Sequence, residues 1–186
     1  MTKLIGRLWL ALTGWRAEGA LPPGTQKLVF IAAPHTSNWD LPHMLAIAWV
    51  LGIRPSWMGK HTIFRPPFGG LMRALGGVPV DRRCPHGLVA QMAAEFARRD
   101  RFALVIPPEA TRARAPHWKS GFYRVARAAH VPIACGYLDY ARKRGGIGPV
   151  FVPSGDLQAD MDRIADFYAG VTAKYPEQFG PVRLEG

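Results

Sequence analysis

Cysteine is scarce in this chain: Cys84 and Cys135 are the only two in 186 residues. Two thiols with no metal-type spacing give neither a disulfide framework nor a metal site, which fits a reducing compartment. Both read as small buried residues rather than nucleophiles. Long apolar runs are also missing, since none reaches the roughly 18 residues of a membrane-crossing helix. The N-terminal stretch has no small-residue cleavage pattern after a long apolar region, so it is a poor signal peptide. Acidic residues are few, 13 against 24 Lys and Arg, for a net charge of +11. That excess asks for an anionic partner such as nucleic acid, an acidic membrane surface or a phosphorylated substrate. The basic residues are spread along the chain and are not interleaved with aromatics, so nucleic acid is not the expected partner. Repeats, low-complexity segments and internal boundaries are absent.

What is present suits one domain with a substantial core, at 48% hydrophobic residues. Hydrophobic periodicity predicts helices over 3–14, 41–51, 67–75, 86–99, 119–129 and 157–174. It predicts strands over 27–33, 55–59, 77–81, 102–107, 131–138 and 149–153. Alternating strands and helices imply an α/β fold, a single layered domain with a mixed, mostly parallel sheet flanked by helices. The mixed character comes from the last two strands, read as an antiparallel hairpin around Arg142-Lys143-Arg144-Gly145-Gly146. Residues 1–20 read as an amphipathic N-terminal helix and 21–186 as the α/β domain. Leu4, Ile5, Leu8, Trp9 and Leu12 form an apolar stripe, with Lys3 and Arg7 beside it. Packing on its own domain and lying on a membrane surface are both open to that stripe.

Three constellations can carry chemistry. His35 and Asp40 flank four residues, Thr36-Ser37-Asn38-Trp39, after the apolar run 28–33. On one ideal helix they would point about 140° apart. The Pro42 ring would clash with the Asn38 carbonyl in an established helix, so the helix starts no earlier than about residue 38. His35 then lies in a loop and Asp40 in the first helical turn, where the carboxylate can meet the imidazole and suit the helix dipole. Such an imidazole has a second nitrogen free to take a proton from a hydroxyl. On spacing alone, a capping histidine and a helix-start acid remain the simpler explanation. The second constellation, Gly77-Val78-Pro79-Val80-Asp81-Arg82-Arg83, delivers two guanidinium forks that suit phosphate; an ordinary surface turn would look the same. In the third, Val105-Ile106-Pro107-Pro108 runs into Glu109, Thr111 and Arg112. A local Glu109–Arg112 ion pair could aim the guanidinium, and Thr111 could donate a hydrogen bond. Lys60 is a further cation at a strand end. All follow predicted strands, and such ends converge on the edge of an α/β sheet where ligands bind.

In order and identity these blocks resemble the glycerophospholipid acyltransferase family, typified by 1-acylglycerol-3-phosphate acyltransferases. His35 to Asp40 resembles its catalytic block, Gly77 to Arg82 its second and Pro108-Glu109-Ala110-Thr111-Arg112 its Pro-Glu-Gly-Thr-Arg signature. Val131-Pro132-Ile133 resembles its fourth block. The resemblance implies that His35, oriented by Asp40, takes a proton from the hydroxyl of a lysophospholipid or glycerol-phosphate-type acceptor. The oxygen would attack an acyl thioester on coenzyme A or acyl carrier protein, with no cofactor, no metal and no acyl-enzyme. Arg82, Glu109, Thr111 and Arg112, joined by Lys60, would bind the acceptor phosphate. The partners implied are the thioester donor, the phosphate-bearing lipid and an anionic membrane surface. The expected location is cytoplasmic, peripheral on the inner face of the cell membrane. Ala110 stands where the signature has glycine; a position needing φ > 0 would cost alanine about 1 kcal/mol. Two alternatives are a catalytically impaired lipid-binding homologue and a metal-dependent hydrolase using His35, Asp40 and His43.

Overall fold

The computed structural model describes residues 1–80 and 85–185. In chain order it contains α1 (Thr2–Thr13), β1 (Arg16–Glu18), β2 (Lys27–Ala32), α2 (Asp40–Val50), β3 (Pro55–Lys60), α3 (Gly69–Ala74) and β4 (Gly77–Val80). Then come α4 (Pro85–Arg98), β5 (Phe102–Ile106), α5 (Gly121–Ala129), β6 (Ile133–Asp139), β7 (Arg144–Phe151) and α6 (Leu157–Ala169). Seven strands form one sheet in the order β1-β7-β6-β2-β5-β3-β4. Every pairing is parallel except β6 with β7, so the sheet is mixed and mostly parallel, as its alternating pattern implied.

The apolar run of β2 is continuous because helices cover both faces of the sheet. Val29 and Ile31 face one core with Leu104, Phe122 and Ile164, under α4, α5 and α6. Leu28 and Phe30 face the other, with Ala103, Ala134 and Ile147. Beside that second layer, Leu10 of α1 and Ala46 and Ile47 of α2 pack with Trp15 and Leu138.

Three boundaries differ from the sequence pattern. Arg16–Glu18 adds an edge strand parallel to β7. Strand β7 begins at Arg144, so the Gly-Gly pair lies in the strand and the turn shifts to 140–143. Glycine is needed there for close packing rather than for turning. A Cβ on Gly145 would stand 2.6 Å from Ile47 Cδ1 and 2.7 Å from Leu138 Cδ2. Of the basic run, the Lys143 ammonium caps α1 by donating to the Thr13 carbonyl at 3.3 Å. Finally, α6 stops at Ala169 with Gly170 at its C-cap, short of residue 174. Beyond it the Thr172 carbonyl accepts from the Tyr140 N–H at 2.9 Å, and one short 3-10 turn follows at Pro176–Gln178.

The connection from β2 crosses β5 to reach β3, and that from β5 crosses back over β2 to reach β6. Between β2 and β5 the chain therefore leaves in opposite directions, and a crevice opens beyond their carboxyl ends. Gly145→Val should lower unfolding stability by about 1–3 kcal/mol through overpacking against Ile47 and Leu138. Urea denaturation would read it as a lower midpoint with an unchanged slope.

Candidate active site

His35 and Asp40 sit at that crevice. Helix α2 begins at Asp40, the first helical turn expected from Pro42. The loop curls back, and His35 Nδ1 lies 3.2 Å from Asp40 Oδ2. An ionised carboxylate can only accept, so Nδ1 carries the proton and Nε2 is left as an acceptor. The imidazole keeps 26% of its side-chain surface exposed, whereas Asp40 keeps 7%.

Asp40 has three donors. Ser37 N–H reaches Oδ2 at 2.9 Å, the Tyr140 hydroxyl reaches Oδ1 at 2.8 Å, and His35 completes the set. Burial pushes the Asp40 carboxyl up, but the hydrogen bonds from His35, Tyr140 and Ser37 outweigh it and hold the pKa below the ordinary value. Asp40 therefore stays ionised to balance an imidazolium.

Glu109 has a different environment. The pairing of Ile31 with Ile106 ends β2 and β5 together and sets their loops side by side. Glu109 turns inward, 3% exposed, and its Oε1 accepts the His35 backbone N–H at 3.1 Å. Its Oε2 is buried with no hydrogen-bond partner. Desolvation dominates, and the pKa rises from 4.5 to about 7. The local Glu109–Arg112 ion pair does not form: Glu109 spends its hydrogen bond on the His35 loop, and Arg112 is exposed beyond it. Thr111 is also exposed, its Oγ1 accepting the Ala113 N–H at 3.2 Å. Between Glu109 and Thr111, Ala110 takes φ 56°, the left-handed conformation that glycine would hold without strain.

Lys60 ends β3 at the same sheet edge and is exposed. Arg82, with Asp81, Arg83 and Cys84, lies outside the described residues. His43 does not join His35 and Asp40 as a ligand set. Its Nδ1 accepts from the Trp9 indole at 3.1 Å, and its ring stacks on Trp15 at 4.4 Å. Burial, with the Lys174 and Lys143 charges, holds its pKa below the ordinary value against the pull of Asp40. Among the described residues no group of three or more His, Cys, Asp or Glu is placed to hold a metal.

Two residues at the site were not anticipated. Tyr140 follows β6, so the strand-end rule that picked out His35 and Glu109 also pointed to it. Lys174 had no such signal, because the pattern placed it inside α6. Its neighbour Tyr175 donates its N–H to Thr36 Oγ1 at 3.3 Å. Gln178, with its amide nitrogen turned inward, reaches the Arg112 carbonyl at 2.8 Å and the Thr36 carbonyl at 3.1 Å. The C-terminal segment thus ties the two motif loops together.

The model of the acyltransferase family matches residues 18–137, more than half of the chain. The chain belongs to the acyltransferase family. Among solved structures, this acyltransferase is similar to the 1-acyl-sn-glycerophosphate (LPA) acyltransferase PlsC from Thermotoga maritima. The TM-score is 0.63 at 15% identity, covering 91% of this chain and 77% of that one, so the likeness is one of fold. No curated protein matches the sequence.

Two outcomes test the site's energetics. Glu109 holds its proton more tightly folded than unfolded, so its contribution favours the folded chain at acid pH. That contribution declines as pH rises from 4.5 through about 7. Glu109→Gln cannot ionise, so its stability relative to wild type should climb by roughly 3 kcal/mol over that window. Denaturation at pH 4.5 and pH 8 reads the difference, and the Asp40 contribution, lost below pH 4, is common to both proteins. Ala110→Gly should stabilise by up to about 1 kcal/mol, since relief of the left-handed strain exceeds glycine's added unfolded-state entropy. An unchanged urea midpoint would show that the loop relaxes around alanine.

Proposed function

We propose that this acyltransferase moves a fatty acyl group from a thioester of coenzyme A or acyl carrier protein to a hydroxyl of a lysophospholipid or glycerol-phosphate-type acceptor. The observation that carries this reading is the His35 Nδ1–Asp40 Oδ2 hydrogen bond, with Nε2 free at the sheet's crevice. His35 Nε2 takes the acceptor hydroxyl proton as the oxygen attacks the thioester carbonyl. Asp40 stabilises the imidazolium, which then returns the proton to the departing thiolate. No acyl-enzyme is needed, because base and acceptor meet the donor directly.

Lys60, Arg82, Thr111 and Arg112 are proposed to bind the acceptor phosphate. Glu109 serves that site indirectly, by holding the His35 backbone beside the loop that carries Thr111 and Arg112. The acceptor class is supported by the family, by the net charge of +11 and by the fold shared with an enzyme named for 1-acyl-sn-glycerophosphate. Access to a lipid acceptor is proposed to come through α1, at a cytoplasmic membrane face rich in anionic lipid. One side of α1 packs Gly6 and Leu10, while Leu4, Ile5, Leu8 and Leu12 are exposed at 51–85%. Among the described residues no helix is long and apolar enough to cross a membrane.

The test is thioester release over a panel of lysolipid acceptors, with products read by mass spectrometry. Lysophosphatidate-type acceptors should be acylated. His35→Ala should lower kcat by about 10³-fold or more with the fold retained, read by circular dichroism. Normal turnover by that variant would remove His35 from the base role, and acylation of phosphate-free acceptors alone would remove the acceptor class.

A further inference from the structure

Lys174 is a cation at this site that belongs to none of the motifs. Its Nζ lies 5.2 Å from the Trp39 ring centroid, 5.8 Å from that of Tyr140 and 5.9 Å from that of Tyr175. Each of these residues is tied to the loop bearing the His35–Asp40 pair. Trp39 directly precedes Asp40 and donates its N–H to Ser37 Oγ at 3.2 Å. Tyr140 donates to Asp40 Oδ1 at 2.8 Å, and the Tyr175 N–H reaches Thr36 Oγ1 at 3.3 Å. The ammonium is thus bracketed by residues anchored to that loop.

Its backbone is anchored on both sides as well, at Thr172 through the Tyr140 N–H and at Tyr175 through Thr36. Among the described residues no carboxylate forms an ion pair with it. Asp40, which Tyr140 holds, is already committed to three donors, and Asp139, which precedes Tyr140, pairs with Arg142. Ring faces attract an ammonium without neutralising it, so the charge is still available to an incoming anion. Lys174 also falls outside the stretch matched by the family model, 18–137.

We propose that Lys174 is a substrate-binding residue that takes a phosphate group at the mouth of the His35–Asp40 site, carried by the acyl acceptor or by the coenzyme-type acyl donor. This rests on the acyl-transfer reading above. The three rings hold the ammonium in place, so it meets a phosphate as a positioned point charge. Trp39 is 53% exposed, which leaves the aromatic rim open for a ligand to approach over it.

The experiment compares wild type with Lys174→Met, which keeps an unbranched apolar stem over the rings, and with Lys174→Arg. KM is measured separately for a lysophosphatidate acceptor and for acyl-coenzyme A. In Lys174→Met, KM for one of these substrates should rise about tenfold with kcat changed far less, and arginine should restore most of the loss. A rise confined to the acceptor assigns the acceptor phosphate, and one confined to the donor assigns the coenzyme phosphates. Unchanged KM for both overturns the assignment of Lys174 while leaving the acyl-transfer reading intact. Should wild type acylate no lysolipid, that reading fails by itself, and tryptophan-fluorescence titrations with glycerol phosphate and with coenzyme A decide on Lys174. Tighter binding of either probe to wild type than to Lys174→Met supports the proposal. Equal affinity, or no binding to wild type, overturns it.

Discussion

Ile31 stands opposite Ile106, so β2 and β5 end at one level and their two loops leave the sheet side by side. Two segments 74 residues apart in the chain then share a hydrogen bond, His35 N–H to Glu109 Oε1. The opposite departures of the chain from these strands keep the crevice between the loops open. Every other feature of the site builds on that junction. The Asp40 turn, the exposed loop of Thr111 and Arg112, and the C-terminal segment that spans both all hang from it.

The junction treats its two carboxyl groups in opposite ways. Both are almost fully buried, but Asp40 collects three donors whereas Glu109 has one and an orphaned oxygen. Solvation lost on burial is replaced for the first and not for the second. Asp40 is therefore the acid that can stay ionised beside an imidazolium. Glu109 is the acid that approaches neutrality and serves the backbone. Two carboxyls at one junction thus take different work, chiefly because burial is offset by hydrogen bonds for one and not for the other.

A layer of aromatic groups backs this chemistry. Tyr140, which fixes Asp40, meets Trp15 edge-on at 4.8 Å, and Trp15 stacks on His43. His43 in turn accepts from Trp9 of α1. The helix whose outer face is apolar is thus joined through packed rings to the carboxylate behind His35. That contact commits His43 Nδ1, so the ring works as a packing and hydrogen-bonding group between α1 and α2.

Local chemistry in the sequence was enough for the α/β class, the strand–loop–helix placement of His35 and Asp40 and the start of α2. Each depends on neighbours in the chain: an apolar run, a proline that cannot enter an established helix, an acid suited to a helix start. The order of four motif blocks was likewise legible as a family. Tertiary structure alone decided the partners. Glu109 bonds His35 rather than Arg112, Tyr140 completes the Asp40 shell, and Gly145 and Gly146 serve a strand rather than a turn. Lys174 reaches the site because α6 ends at Gly170 and Tyr140 takes the carbonyl of Thr172. Periodicity measures which face of one element is apolar, but it carries no information on which distant loop will arrive beside it. Strand register and sheet order, set by burial over the whole domain, supply that information.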